Sequence, residues 1–200
     1  MKYYKQSTIF TGAAAGLMNI LYFFNKSVDL CRKTEFDIWS ESAALPTRGC
    51  SLYGLAIYAK KLGVNVSLIV EDPDYKFPGY RFKSYKKKEV DIATFHSTLM
   101  LEKAKSLNID IKTQDFTIDN IKTLLSEKKL LMVRLIIGVL RDTKVNKRNP
   151  HYIPVIGFSN GEFSIVDPKR GFLKISENKF LEAFEAVHSC RRDNRMLILG

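Results

Sequence analysis

The sequence predicts an α+β domain in which helices in the first half of the chain precede a meander of strands in the second half. Residues 12–24 are apolar around almost the whole helical circumference, which is typical of a buried central helix. Residues 64–70 alternate between apolar and polar side chains, as a strand does. Residues 150–168 form two short apolar runs around Asn160 and Gly161, a dipeptide typical of a hairpin turn. Helices and strands segregated in this way are the pattern of the α+β class.

Local signals bound the other elements. Thr11 is a candidate cap for the first helix, and Pro46 stops a second helix near residues 34–45. Further helices are predicted at 51–63, 89–107, 117–129 and 176–190, further strands at 130–137, 171–175 and 196–199, and loops at 71–88 and 141–150. Neither a repeat nor a linker divides the chain, so we expect a single domain over residues 1–200.

Composition and charge narrow the class of protein. Hydrophobic residues make up 46% of the chain, which is enough for a buried core. Lys and Arg number 32 against 21 Asp and Glu, and the resulting net charge of +11 favours an acidic partner without identifying one. The basic run RFKSYKKK at residues 81–88 is interpreted as a solvated loop or as a contact for acidic molecules. No nucleic-acid-binding motif accompanies it, so no specific nucleic-acid partner is expected.

The sequence also bears on location and cofactors. The first ten residues lack the layout of a signal peptide, and the apolar run at 13–24 is about half the ~20 residues that a membrane span needs. The three cysteines are far apart and include no C-x-x-C pair, which favours neither a disulfide framework nor a zinc site. Glycine-rich phosphate-binding motifs are missing. We therefore expect a cytoplasmic protein without a membrane span, metal or cofactor.

A histidine and a carboxylate lie at matching ends of the two strands of the predicted hairpin. His151 opens the first strand and Asp167 closes the second. A base and a group that orients it are what an enzymatic nucleophile requires. The sequence therefore predicts that the two side chains meet and form a hydrogen bond beside a cleft.

The stretches QSTIFTGAAAGLM and HYIPVIGFSNGEFSIVDP together resemble the bacteriocin-processing (double-glycine leader) peptidase family of the papain-like cysteine peptidase clan. Residues 35–63 further resemble a subgroup of cytoplasmic peptidase-like proteins from bacteria and archaea. The resemblance implies a papain-like cysteine peptidase fold, with N-terminal helices packed on a C-terminal antiparallel sheet. It implies that His151 is the general base, that Asp167 orients it, and that Gln6 stabilises the oxyanion.

The same resemblance places the nucleophilic cysteine of the family at Gly12, and the residues that follow it at Ala13, Ala14 and Ala15. Glycine has no side chain to activate, so covalent acyl transfer through residue 12 is impossible. Thr11, Gly12 and Ala13 are then expected to contact a bound peptide rather than to attack it.

Two other residues are candidates for a replacement nucleophile. Cys50 stands at the head of the helix that starts at Ser51, where a helix N-terminus lowers a thiol pKa, although a small inert core residue is the competing interpretation. Thr11 adjoins the lost position, but a hydroxyl is a far weaker nucleophile than a thiolate. Cys31 and Cys190 are expected to be buried structural residues.

Three hypotheses on function follow. The first is a degenerate, non-catalytic peptidase-like protein, a pseudoenzyme that binds a peptide or protein segment in its cleft. The second is an active peptidase or amidase that uses Cys50 with His151 and Asp167. The third is a basic scaffold protein that binds acidic macromolecules, with its charge at residues 86–88. The missing side chain at Gly12 favours the first.

Overall fold

The computed structural model describes residues 2–24, 28–73, 86–143 and 150–200. The helices in these ranges are α1 (Gly12–Phe24), α2 (Arg32–Ser42), α3 (Leu52–Lys61), α4 (Lys87–Ser106), α5 (Ile118–Ser126), α6 (Ile137–Leu140) and α7 (Glu177–Ser189). The strands are β1 (Val66–Val70), β2 (Asp110–Thr113), β3 (Leu130–Ile136), β4 (Pro150–Ser159), β5 (Glu162–Asp167), β6 (Gly171–Ser176) and β7 (Arg195–Leu199).

The strands form one sheet in the order β2-β1-β7-β3-β4-β5-β6. Every neighbouring pair except one is antiparallel, and the exception is the parallel pair of β1 and β2 at one edge. The hairpin of β4 and β5 turns at Asn160 and Gly161, both with positive φ. This confirms the predicted α+β class, and the antiparallel sheet is correct away from that edge.

Two elements were not predicted. Strand β2, with the sequence DIKT, is mostly exposed, so it lacks the apolar alternation that indicates a strand. Helix α6, with the sequence IGVL, continues the apolar run of β3 and is too short to show a helical period. The predicted loops at 71–88 and 141–150 fall largely on residues 74–85 and 144–149, outside the described residues.

Both faces of the sheet are covered by helices. Helices α1 and α3, with α2 and α4 packed against them, cover one face. Helices α5 and α7 cover the other face. The first core includes Leu17, Met18, Leu55, Leu68, Met132 and Leu197. The second includes Ile121, Val133, Ile153, Ile165, Phe180 and Met196.

The position of α1 matters most for the site. Its side chains are buried over most of its length, as its uniform apolarity predicts. A Cβ added at Gly16 would lie 3.1 Å from the ring of Pro154, so the absence of a side chain there lets α1 approach β4 closely. This packing brings the first turn of α1 near the beginning of β4, where His151 lies. Within the described residues, no helix is both long and apolar enough to cross a membrane.

Candidate active-site cleft

A cleft of about 370 Å³ lies between the first turn of α1, the loop before α3 and the start of β4. Gly12, Ala13, Cys50 and His151 all line it, so the structure brings together four of the predicted site residues. Three others do not line it: Asp167 and Thr11 are both 0% exposed, and Gln6 lies beside Gly12 just outside the cleft lining.

The segment that leads into α1 is held by a buried carboxylate, Glu35 of α2, which is 0% exposed. Its oxygens accept hydrogen bonds from the Ser7 backbone N–H at 2.8 Å, from the Ser7 and Thr11 hydroxyls at 2.5 Å each, and from the Tyr4 hydroxyl at 3.1 Å. These donors span the residues on both sides of Gln6. Glu35 therefore fixes the path of the segment that brings Gly12 to the cleft and Gln6 beside Gly12.

Sequence reasoning missed Glu35, although a signal was present. Glu35, Ile38 and Ser42 share the buried side of α2, at helical spacing. A charged residue on that side needs several hydrogen-bond donors, and the donors come from the segment before α1. The same contacts contradict the predicted role of Thr11. Its hydroxyl proton is donated to Glu35 and its side chain is buried away from the cleft, so it can neither attack nor contact a peptide there.

Gln6 lies next to Gly12. A Cβ added at Gly12 would lie 3.1 Å from Gln6 Oε1, so a side chain at position 12 would project toward the Gln6 amide. The orientation of that amide is a departure, because Nε2 donates to the Thr8 carbonyl oxygen at 2.6 Å and the oxygen faces position 12. An oxyanion needs donors, whereas this arrangement presents an acceptor.

Asp167 is engaged by an arginine instead of by His151. Arg141, directly after α6, donates to it from Nε at 2.8 Å and from Nη2 at 2.6 Å. The backbone N–H groups of Lys169 and Arg170 add bonds of 2.8 Å and 3.2 Å. Among the described residues no hydrogen bond joins Asp167 to His151, so the predicted hydrogen bond is not formed, although the charge of Asp167 still acts on the imidazole. A planar guanidinium that binds both carboxylate oxygens replaces that hydrogen bond.

This pairing alters the protonation of both groups. Burial raises the pKa of Asp167, but the hydrogen bonds from Arg141 and from the two backbone N–H groups outweigh it and leave the pKa below its usual value. Burial, and to a lesser extent the charge of Arg141, lower the pKa of His151 to about 4 against the opposing effect of Asp167. The imidazole is therefore neutral at pH 7, and its protonated form is disfavoured.

Cys50 lies in the loop between α2 and α3, which is closed by a backbone bridge between Ala43 and Cys50. Burial raises the pKa of its thiol to about 11, although hydrogen bonds with the Ser42 side chain and the Ala14 backbone favour the thiolate. Ala14 belongs to the first turn of α1, so the Cys50 sulfur lies beside the helix end at which the resemblance expects a nucleophile. With a pKa of about 11, only about one thiol in 10⁴ is ionised at pH 7.

The other two cysteines differ from each other. Cys190 is 7% exposed, as predicted for a structural residue. Cys31 precedes α2 and is partly exposed, and hydrogen bonds with Thr34 lower the pKa of its thiol. The prediction that Cys31 is buried is therefore wrong, because a cysteine at the N-terminus of an amphipathic helix can face solvent.

Four arginines also line the cleft, and sequence reasoning did not anticipate them: Arg48, Arg134, Arg192 and Arg195. Two signals were available: a single charge inside the apolar run LLMVRLII, and the cluster RRDNR before the last strand. Across the described ranges, no group of three or more His, Cys, Asp or Glu is placed to hold a metal ion.

The fold packs helices on a sheet, and the first turn of a buried helix faces the start of the strand that carries His151, an arrangement that is consistent with a peptidase-like domain. A sequence model of the Peptidase_C39 like family matches residues 1–185, and the chain belongs to this family. No curated protein sequence matches this chain.

Solved structures agree on the fold. The chain is similar to a double glycine motif protease from an AMS/PCAT transporter, crystallised in complex with the leader peptide. The identity is 16% and the TM-score 0.50, over 99% of this chain and 90% of that chain. It is also similar to the peptidase domain of Streptococcus ComA, a bi-functional ABC transporter involved in a quorum-sensing pathway. There the identity is 13% and the TM-score 0.52, over 100% of this chain and 97% of that chain.

Proposed function

We propose that this protein is a non-catalytic member of its family that binds a peptide segment in the cleft. The observation that carries the proposal is the glycine at position 12, in the first turn of α1 and beside Gln6. Without a side chain at that position, no acyl intermediate forms where the family resemblance expects one.

The state of the neighbouring groups supports the same proposal. A cysteine peptidase needs a thiolate beside a histidine that can carry a proton. Here the pKa of Cys50 is about 11 and that of His151 about 4, so both groups are neutral at pH 7 and the order of their pKa values opposes proton transfer from thiol to imidazole. The carboxylate that would orient the histidine is bound to Arg141.

Two observations support peptide binding: the size of the cleft and one solved structure with the same fold. The cleft volume of about 370 Å³ lies within the range of small-ligand sites and suits a few residues of an extended peptide. The double glycine motif protease that shares the fold was crystallised with a leader peptide. We propose that the present chain keeps this capacity to bind while lacking the capacity to cleave.

The test is to incubate the protein with a defined mixture of synthetic decapeptides. Mass spectrometry then measures which peptides co-elute with the protein in gel filtration and whether shorter fragments appear. We expect a subset of peptides to be retained intact. If no peptide is retained, the proposal fails.

Matched tryptophan variants locate the binding. A Cβ at Gly49 has no atom within 4 Å, and this exposed residue lines the cleft, so Gly49→Trp fills the cleft without straining the backbone. Ser106→Trp places the same side chain at the exposed end of α4 and serves as the control. Retention is expected to disappear in the first variant only. Equal retention in both would place the binding outside the cleft and contradict the proposal.

A second candidate function is an active peptidase or amidase with Cys50 as a relocated nucleophile. It is favoured by one observation, that Cys50 and His151 line the same cleft. Fragments in the same incubation that disappear in Cys50→Ala, together with stoichiometric labelling of Cys50 by iodoacetamide, would establish it. Fragments that persist in Cys50→Ala would exclude it.

A further inference from the structure

The charged side chains that line the cleft are unusual because they are all positive among the described residues. Among the residues that line it are four arginines, and no aspartate or glutamate of the described ranges is one of them. Three of the arginines are deeply buried: Arg134 is 4%, Arg192 8% and Arg195 2% exposed. Arg48 is exposed at the rim and lies over the Phe10 ring at 5.3 Å. Buried arginine is costly unless negative charge lies nearby.

Asp193 supplies part of that charge from behind the cleft. Arg134 Nη1 donates to Asp193 Oδ1 at 2.8 Å and to its backbone oxygen at 3.0 Å, while Nη2 donates to the Tyr152 hydroxyl at 2.6 Å. Arg195 donates to the second oxygen of the same carboxylate and, from Nη2, to the Asp72 backbone oxygen. One carboxylate thus holds two arginines in place and presents them toward the cavity.

Arg192 lies in the same electrostatic environment. Burial is the main cause that lowers the pKa of Arg192 to about 10, with Asp193 opposing it and the charge of Arg195 acting in the same direction as burial. Because this pKa is still well above 7, the guanidinium of Arg192 is cationic at pH 7. A ligand anion in the cleft would reduce the mutual repulsion of the arginines and would therefore be favoured.

The N-terminus of α3, on the opposite wall of the cleft, adds a weaker attraction for negative charge. Ser51 is the N-cap of α3 and is 7% exposed, and its side chain makes no capping hydrogen bond. Its hydroxyl has no hydrogen-bond partner among the described residues. The first turn of a ten-residue helix, uncapped by a side chain, therefore borders the cleft. Such a helix end favours negative charge.

We propose that the cleft selects its peptide by a carboxylate, which the buried arginines Arg134, Arg192 and Arg195 and the rim residue Arg48 attract. The inference rests on the proposed peptide-binding function and specifies the chemistry of the ligand. Either the C-terminal carboxylate of a peptide or an acidic side chain supplies this chemistry, and the test separates the two.

The experiment uses three pentapeptides of glycine and leucine that carry an uncharged BODIPY dye at the N-terminus, measured by fluorescence anisotropy. The first ends in an amide and is uncharged, the second has a free C-terminal carboxylate, and the third ends in an amide but contains one glutamate. We expect one or both carboxylate peptides to bind about tenfold or more tightly than the neutral peptide, as charge-assisted hydrogen bonds predict. A preference for the second peptide identifies the chain terminus, and a preference for the third identifies the side chain.

Two exposed arginines provide a matched pair of variants. Arg48 lines the cleft over Phe10, and Arg32 lies away from the cleft over the Phe36 ring at 5.5 Å. Both Arg48→Gln and Arg32→Gln remove one positive charge and one ring contact. We expect Arg48→Gln to weaken carboxylate binding about threefold or more at low salt, while Arg32→Gln leaves it unchanged. Arg192→Gln, if circular dichroism shows it folded, should weaken binding further.

The outcomes separate the two proposals. Equal affinity for all three peptides, lost in Gly49→Trp, would overturn carboxylate selection and leave the peptide-binding function intact. Equal effects of Arg48→Gln and Arg32→Gln would overturn the role of the cleft arginines in the same way. No binding of any probe, together with no retained decapeptide, would overturn both proposals.

Discussion

The two sides of the cleft each depend on a buried carboxylate, but on partners of different charge. On the helix side, Glu35 accepts its hydrogen bonds from neutral donors, the hydroxyls of Tyr4, Ser7 and Thr11 and one backbone N–H. On the strand side, Asp167 is bound by the cationic Arg141. Both carboxylates are 0% exposed.

In the proposed non-catalytic function, the two sides of the cleft lack catalytic chemistry for different reasons. The helix side keeps the backbone path and has no side chain at position 12. The strand side keeps both His151 and Asp167 and pairs the carboxylate with another residue. That new partner also lowers the pKa of the histidine. The predictions below test each side against the other, in order of decreasing expected effect.

The largest effect is expected from breaking the pair on the strand side. Arg141→Met leaves the Asp167 carboxylate buried without its cation, and we expect the free energy of unfolding at pH 7 to fall by about 3–5 kcal/mol. Urea denaturation measures it. The pKa of Asp167 is lowered by the pair, so the stabilisation is present above the usual pKa of aspartate and is lost as the pH falls. The effect of Arg141→Met should therefore shrink in acid.

An exposed ion pair is the control for that variant. Lys33 and Asp37 form an i,i+4 pair on α2 at 2.8 Å, and Lys33→Met should cost less than about 1 kcal/mol. If Arg141→Met also lowers the free energy of unfolding by less than about 1 kcal/mol at pH 7, the pair of Arg141 and Asp167 does not stabilise the strand side of the cleft.

On the helix side, we expect Glu35→Ala to cost about 2–4 kcal/mol, because it leaves several buried donors without an acceptor. The damage should be local, with faster amide hydrogen exchange at Ser7 than in the strands. Glu41→Ala, which removes an exposed ion pair with Lys61, is the matched control. If the amide of Ser7 exchanges at the same rate in Glu35→Ala and in the unmodified protein, the anchoring role of Glu35 is refuted.

The next largest effect on the free energy of unfolding is expected from protonation of His151. Its pKa is about 4 in the folded protein and 6.5 in the reference state, so between these pH values the unfolded chain binds more protons. Stability therefore falls as the pH drops from 6.5 to 4, by up to about 3 kcal/mol from this residue. His151→Gln should remove that part of the pH dependence in denaturation curves. Parallel curves for the two proteins would contradict the assignment.

Thiol reactivity gives the smallest effect in free energy. The pKa of Cys31 is lowered and that of Cys50 is raised to about 11. We expect iodoacetamide to label Cys31 about a hundredfold faster at pH 7, a difference of about 2.7 kcal/mol. Peptide mapping by mass spectrometry follows both sites, and Cys31→Ser removes the fast phase. Faster labelling of Cys50 would favour the relocated-nucleophile function.

How far the sequence predicts this molecule depends on the range of the interactions. The bounds of α1, α3 and the hairpin of β4 and β5 follow from local patterns of apolar residues, caps and turns. Short elements without such a pattern, β2 and α6, were missed. The family resemblance places His151 and Gly12 on two long elements, and both residues line the cleft.

The pairing of charges was beyond prediction because it depends on contacts between distant segments. Arg141 reaches Asp167 from the end of a helix that the sequence does not signal, and 26 residues separate the two. Asp193 binds Arg134, which lies on a strand 59 residues away in the sequence. A single sequence shows that these charges exist, but the three-dimensional packing decides which of them meet.

The most direct test of the account is the pKa of His151, measured by NMR titration of the imidazole ring in the unmodified protein. The account predicts a value near 4 and a neutral ring at pH 7. A value at or above that of a free histidine would mean that the ring is paired with a carboxylate or a thiolate, and it would contradict the proposed non-catalytic function.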